Sequence, residues 1–182
     1  MAEETRTERL KQINFWEKLF ELRDKDRANK KNAIVNVLGR ELPWELNRQG
    51  LMQWYLHPIM EDTVINPFIF YVQKIPPGSR SGRVKTQGSQ VFYVWKGKGS
   101  TVMDGVRHHW EDGAVIQIPL RPFGVIYQHF NADMKEPAVL ISVEANTVGA
   151  LGMDRGSGFE QLENCPEYEE EQKKKHQITS TK

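Results

Sequence analysis

The sequence predicts an all-β fold, a small antiparallel β-barrel of jelly-roll type with a helical arm before it and a tail behind it. Short stretches rich in β-branched and aromatic residues recur through the middle of the chain, at 68–75, 90–96, 125–130 and 138–145. Turn residues separate them: Pro76-Pro77-Gly78, Gly97-Lys98-Gly99, Asp104-Gly105 and Glu111-Asp112-Gly113. Many short strands with glycine turns at regular spacing favour a barrel or sandwich over a helical bundle or an alternating α/β fold. A chain of 182 residues suits one domain with a sizeable core. The division expected is an arm with an extended aromatic segment over 1–62, the barrel over 63–148, and an extension, partly loop or disordered, over 149–182.

In chain order, residues 8–27 have a period near 3.6. Leu10, Ile13, Trp16 and Phe20 share one face and Phe15, Leu19 and Leu22 widen it, which reads as an amphipathic helix. Its stripe needs cover from its own barrel or from a partner. Residues 34–38 fit a short strand or a continued helix. Trp44, Trp54 and Tyr55, near Pro43 and Pro58, suggest an extended segment laid across the barrel, as core, interface or cavity mouth. Residues 63–66 and 68–75 read as the first clear strands, and 90–96 as the next strong one. Residues 100–103 return through the Asp104-Gly105 hairpin into 106–110, and 114–119, 125–130 and 138–145 complete the set. Residues 149–158 read as loop. The tail from 167 to 175 reads as solvated, with Glu169, Glu170 and Glu171 spaced to pair with Lys173, Lys174 and Lys175 on a helix.

Charge and cysteine content exclude some classes. Twenty-five basic and 24 acidic residues are interspersed and leave a formal charge of +1, so no basic footprint for nucleic acid is visible. Cys165 is the lone cysteine, which rules out an intramolecular disulfide and suits a reducing, cytoplasmic setting. No apolar run suits a signal peptide or membrane span, so no membrane role is expected.

Two stretches carry a resemblance. Gly82-Arg83-Val84-Lys85-Thr86 leads through Gln90 and Phe92-Tyr93-Val94 to Gly97, and a second stretch holds Gly113, Pro119, Tyr127, His129 and Asn131. These resemble the two motifs of the cupins over roughly 67–146. Residues 76–82 and 128–133 are most similar to the gentisate-dioxygenase-like, aromatic-ring-cleaving branch. The resemblance implies the small β-barrel, and it implies metal ligands at positions where this chain departs. Val84 and Thr86 stand where the branch has two histidines, Gln90 where it has a glutamate, and Tyr127 or His129 where it has the later histidine. Fe(II) takes several imidazole and carboxylate ligands. Val84 offers no donor atom, and Thr86 and Gln90 offer neutral oxygens. No metal is therefore expected in this chain, unless His57, His109 and His129 converge; His108 faces away from His109 on a strand.

Three functions follow. One resembles the small subunit of a two-component hydroquinone 1,2-dioxygenase, a metal-free chain that supports a larger cupin subunit bearing Fe(II) in a hetero-oligomer. Partner contacts would then fall on Trp16, Phe20, Trp44, Trp54 and Tyr55, residue types that anchor interfaces. Another is a self-sufficient cupin enzyme acting on an aromatic or small organic acid. There His129 serves as base and Tyr127 as donor, in a cavity with Gln90, Thr86 and Lys85. A histidine satisfied inside the core reads the same way in sequence. Arg83 and Lys85 can bind a carboxylate or phenolate at the rim, or be ordinary surface charges. The third function is a small-molecule binding module.

Overall fold

The alternation at 90–96 sets the inside and outside of the sheet that organises the chain. A computed structural model of the protein describes residues 5–63, 67–146 and 158–180, with the side chains of 179 and 180 excepted. The chain divides into two compact units, residues 1–36 with 61–64, and residues 37–60 with 65–182.

In the first unit, the helix expected over 8–27 is two helices. α1 (Arg6–Lys11) opens with a capping box: the Glu8 backbone N–H donates to Thr5 Oγ1 (3.3 Å), and the Thr5 N–H donates to the Glu8 carboxylate (2.8 Å). α2 (Phe15–Lys31) starts afresh because Asn14 accepts from the Glu17 N–H at 3.2 Å. An asparagine is worth more as an N-cap than inside a helix. Neither helix contains a buried residue. Trp16 stands edge-on to Phe20, with ring centroids 5.6 Å apart, and the Arg23 guanidinium lies 4.9 Å from the Phe20 ring. The ambiguous residues after α2 make one parallel bridge, Ile34 to Thr63.

Among its described residues, the second unit holds eleven strands in two antiparallel sheets. One has the order β1 (Glu45–Asn47), β2 (Gly50–Leu56), β3 (Phe68–Ile75), β10 (Ala138–Ala145), β5 (Gln90–Lys96), β8 (Val115–Ile118). The other has the order β11 (Phe159–Glu163), β4 (Arg83–Thr86), β9 (Val125–Asn131), β6 (Gly99–Met103), β7 (Val106–Trp110). The expected hairpin at Asp104-Gly105 is present, with φ values of 47° and 85°, the positive pair that a tight two-residue turn needs.

Inward residues alternate with outward ones. Gln90, Phe92 and Val94 of β5 are buried, as are Ala138, Leu140, Ser142 and Glu144 of β10. The outward face of the same strands is also apolar. Val91 lies opposite Val143, and Tyr93 opposite both Ile141 and Val115. Val91, Tyr93, Trp95, Val115 and Val143 are all exposed.

Two segments differ from the expectation. The stretch around Trp44, Trp54 and Tyr55, expected as an extended segment laid across the barrel, supplies strands β1 and β2 of the first sheet. A register shift between Trp54 and Leu56 breaks their alternation and hides the period of two from the sequence. The carboxyl-terminal segment is ordered too: β11 pairs with β4, and α3 (Pro166–Ser180) follows. Cys165 is buried between them, and its thiol donates to the Asn47 carbonyl at 3.4 Å. Burial pushes that thiol up to about 11. Ser79 donates to the Glu167 carboxylate, and the expected helical pairing is present between Glu171 and Lys175 at 2.7 Å. Residues 64–66 of the expected first strand and 149–157 of the expected loop lie outside the described residues. Among the described residues, no helix is long and apolar enough to cross a membrane.

Candidate functional site

Strand parity and register bring one set of side chains together. Val84 of β4 lies opposite Tyr127 of β9, and Gln90 of β5 opposite Glu144 of β10. All four point between the sheets, into a cavity of about 520 Å³. Met52, Trp54, Ile69, Tyr71, Val84 and Phe159 give it apolar and aromatic walls, and Thr86, Gln90, Tyr127, His57 and Glu144 give it polar ones. Arg48 and Tyr168 also line it.

Gln90 ties this wall together. The Tyr127 hydroxyl donates to Gln90 Oε1 at 2.7 Å, while Gln90 Nε2 donates to the Tyr71 hydroxyl at 2.9 Å and to Ser142 Oγ at 3.0 Å. One amide thus uses its acceptor and both its donor hydrogens. Burial raises both tyrosine hydroxyls above their ordinary range, so they stay neutral. Gln90→Leu leaves three buried hydroxyls, those of Tyr71, Tyr127 and Ser142, short of a partner. Its expected cost is about 1–3 kcal/mol, read as a lower urea midpoint with unchanged slope.

The remaining predicted residues fall elsewhere. His129 shares parity with Tyr127 but sits deeper, fully enclosed, with its ring 4.4 Å from Phe92. Its Nδ1 bonds Thr101 Oγ1 at 2.7 Å, and its Nε2 has no partner among the described residues. Burial pulls its pKa down to about 3, so the ring is neutral. It is not among the side chains that line the cavity, where it was expected beside Tyr127: inward parity fixes the side of a strand, not the depth. Arg83 and Lys85 alternate with the inward Val84 and Thr86 and therefore point outward, and Arg83 pairs with Glu163 at 2.7 Å. Neither lines the cavity.

Among the expected interface residues, Trp54 is a cavity wall, in ring contact with His57 and Tyr71 at 5.1 Å each. Tyr55 packs on Phe70 at 5.3 Å, and Lys74 lies over the Trp44 ring at 4.0 Å. His108 and His109 are exposed on β7. His57, His109 and His129 do not converge.

Glu144 went unremarked in the sequence, although its parity with Leu140 and Ser142 marks it as inward. It is 9% exposed, and burial lifts its pKa to about 7. His57 is held below its ordinary value, mainly by burial, with Glu45 opposing. The donor set does not fit Fe(II). The cavity offers one carboxyl and one imidazole, and no group of three or more His, Cys, Asp or Glu residues suited to a metal occurs among the described residues.

No protein-family model matches the chain, and no curated protein matches it in sequence. Solved structures do match it. The plu4264 protein of Photorhabdus luminescens is similar at a TM-score of 0.52 and 14% identity, over 65% of this chain and 92% of that one. A protein with a double-stranded β-helix domain from Klebsiella pneumoniae gives 0.51 at 17% identity, over 72% and 99%. Salicylate 1,2-dioxygenase of Pseudaminobacter salicylatoxidans gives 0.51 at 16% identity, and the match spans 80% of this chain but 37% of the dioxygenase. Likeness at such identities speaks to architecture alone. With its two facing antiparallel sheets, its amino-terminal helices and its carboxyl-terminal helix, the chain has the all-β cupin fold.

Proposed function

We propose that this chain is a metal-free cupin subunit that supports a larger, Fe(II)-bearing subunit of a hydroquinone-type ring-cleaving dioxygenase. The observation that carries the reading is the substitution of the inward positions. Where the resembling branch has imidazoles and a carboxylate, this barrel has Val84, Thr86 and Gln90, with Tyr127 or His129 at the last position. Three of these are built into the wall as structure: Gln90 and Tyr127 bond each other, and Thr86 Oγ1 accepts from the Gly88 N–H. A barrel maintained around such residues suits a supporting role better than oxygen chemistry of its own.

Two further features support a partner. Val91, Tyr93, Trp95, Val115 and Val143 expose an apolar outer sheet face, and Trp16 and Leu19 are exposed on α2. Contiguous exposed apolar surface of this kind marks interaction sites. Aromatic-ring chemistry in the partner is supported by the resemblance and by the salicylate dioxygenase among the structural neighbours.

The test is purification of the chain from its native host, with iron analysis and a hydroquinone turnover assay. A larger iron-bearing polypeptide is expected to co-purify, with turnover requiring both chains and iron following the larger one. Stoichiometric iron and turnover in the isolated chain would overturn the reading.

A further inference from the structure

We propose that the barrel cavity of this chain binds a small ring-bearing molecule that carries no negative charge and donates a hydrogen bond, from a hydroxyl or an ammonium group, to Glu144. This goes beyond a supporting role and does not depend on a companion subunit, since every residue in it belongs to this chain.

The geometry begins with β10. Glu144 pairs with Gln90 on one side and Ile69 on the other, and both neighbours line the cavity, so the carboxyl faces the same space. Of the deeply buried polar side chains in that wall, Tyr71, Gln90 and Tyr127 bond one another and Thr86 accepts from Gly88. The Glu144 side chain makes no hydrogen bond with any described residue. With the residue only 9% exposed, a carboxyl that has no partner in the wall and whose oxygens open only onto the cavity carries a desolvation cost. A ligand that donates to it removes that cost.

The body of the ligand follows from the walls. The volume lies within the roughly 300–1,000 Å³ typical of small-molecule sites. Trp54 and Tyr71, 5.1 Å apart and tilted by 59°, present ring surface with Tyr127 close by. Such walls favour a flat apolar ring, and they attract an ammonium through their π faces. An anion meets the opposite environment. Glu144 repels it once ionised, His57 is held towards its neutral form by burial, and the tyrosines are neutral. Arg48, the remaining charged side chain of the wall, is exposed at its edge.

Three probes of one shape separate the charges: benzyl alcohol, benzylamine and benzoate, titrated calorimetrically into the full chain at pH 8. Benzyl alcohol or benzylamine is expected to saturate one site, with benzoate at least about tenfold weaker, a gap of ~1.4 kcal/mol. The tighter of the first two identifies the donor as hydroxyl or ammonium. Glu144→Leu is expected to weaken the preferred probe about tenfold or more. Glu144→Gln keeps the shape and an acceptor while removing the charge, so it should narrow the gap between benzylamine and benzoate. The proposal is overturned if no probe saturates, if benzoate binds as tightly as the others, or if Glu144→Gln leaves that gap unchanged. It is also overturned if a folded Glu144→Leu protein binds like the wild type.

Discussion

Phe92→Ala is expected to lower the stability of the protein by about 3–5 kcal/mol, the range for removing a buried aromatic ring without refilling its space. Phe92 is completely enclosed. It stands at the middle of β5, where its ring meets Tyr71 at 6.4 Å, Tyr127 at 5.7 Å and His129 at 4.4 Å. These three neighbours come from β3 and β9, so one side chain joins both sheets. Each is also tied elsewhere, Tyr71 and Tyr127 through Gln90 and His129 through Thr101, and none can swing in to close the gap. Typical domains are stable by only about 5–15 kcal/mol, so this one change removes a large share. Tyr93→Ala is the control. Its side chain points out from the next position on the same strand and is 40% exposed, and its loss should cost no more than about 1 kcal/mol. Urea denaturation of both variants measures the contrast. Similar losses at positions 92 and 93 would contradict the inward and outward assignment of β5.

Strand β5 itself was legible as a β-branched and aromatic run that ends at glycine, and β3, β7 and β10 were legible for related reasons. Both faces of β5 are apolar, so its inward side was indicated only by the resemblance that places Gln90 at a ligand position. The elements that stayed hidden depend on distant partners. β2 has its period broken by the irregularity at Trp54 and Leu56, and it is completed by pairing with β3. β11 carries two glutamates in five residues and reads as tail, yet β4 gives it a ladder. At the site, the resemblance pointed Thr86 and Gln90 inward, and parity did the same for Tyr127 and His129. Applied to β10, parity also points to Glu144, which went unremarked in the sequence. It could not separate Tyr127 in the cavity wall from His129 in the packed core, because depth is set by the second sheet. Nor does any local pattern show that a single glutamine bonds both tyrosines.

Burial of two groups with opposite preferences gives the second large effect, a pH dependence that one substitution uncovers. His129 has an ordinary value of 6.5 and is held at about 3 in the fold. Its contribution is complete above 6.5 and is lost as the pH falls towards 3, because the unfolded chain then binds a proton that the folded one refuses. Glu144 runs the other way, from 4.5 to about 7. Its contribution is complete below 4.5 and is lost as the pH rises towards 7, because the folded chain holds a proton that the unfolded one has released. Between pH 4.5 and 6.5 the two slopes oppose each other and nearly cancel. Glu144→Gln removes one of them. Stability of the variant minus that of the wild type should be flat below pH 4.5, rise by about 1.4 kcal/mol per pH unit up to about 7, and level off above. Other carboxylates such as the half-buried Asp133, held low by backbone N–H groups, are common to both proteins and drop out of the difference. Urea midpoints at half-unit steps from pH 4 to 8 supply the curve. A difference that does not change with pH would show that Glu144 ionises in the folded chain as it does in water, and that its carboxyl is solvated rather than buried in the cavity wall.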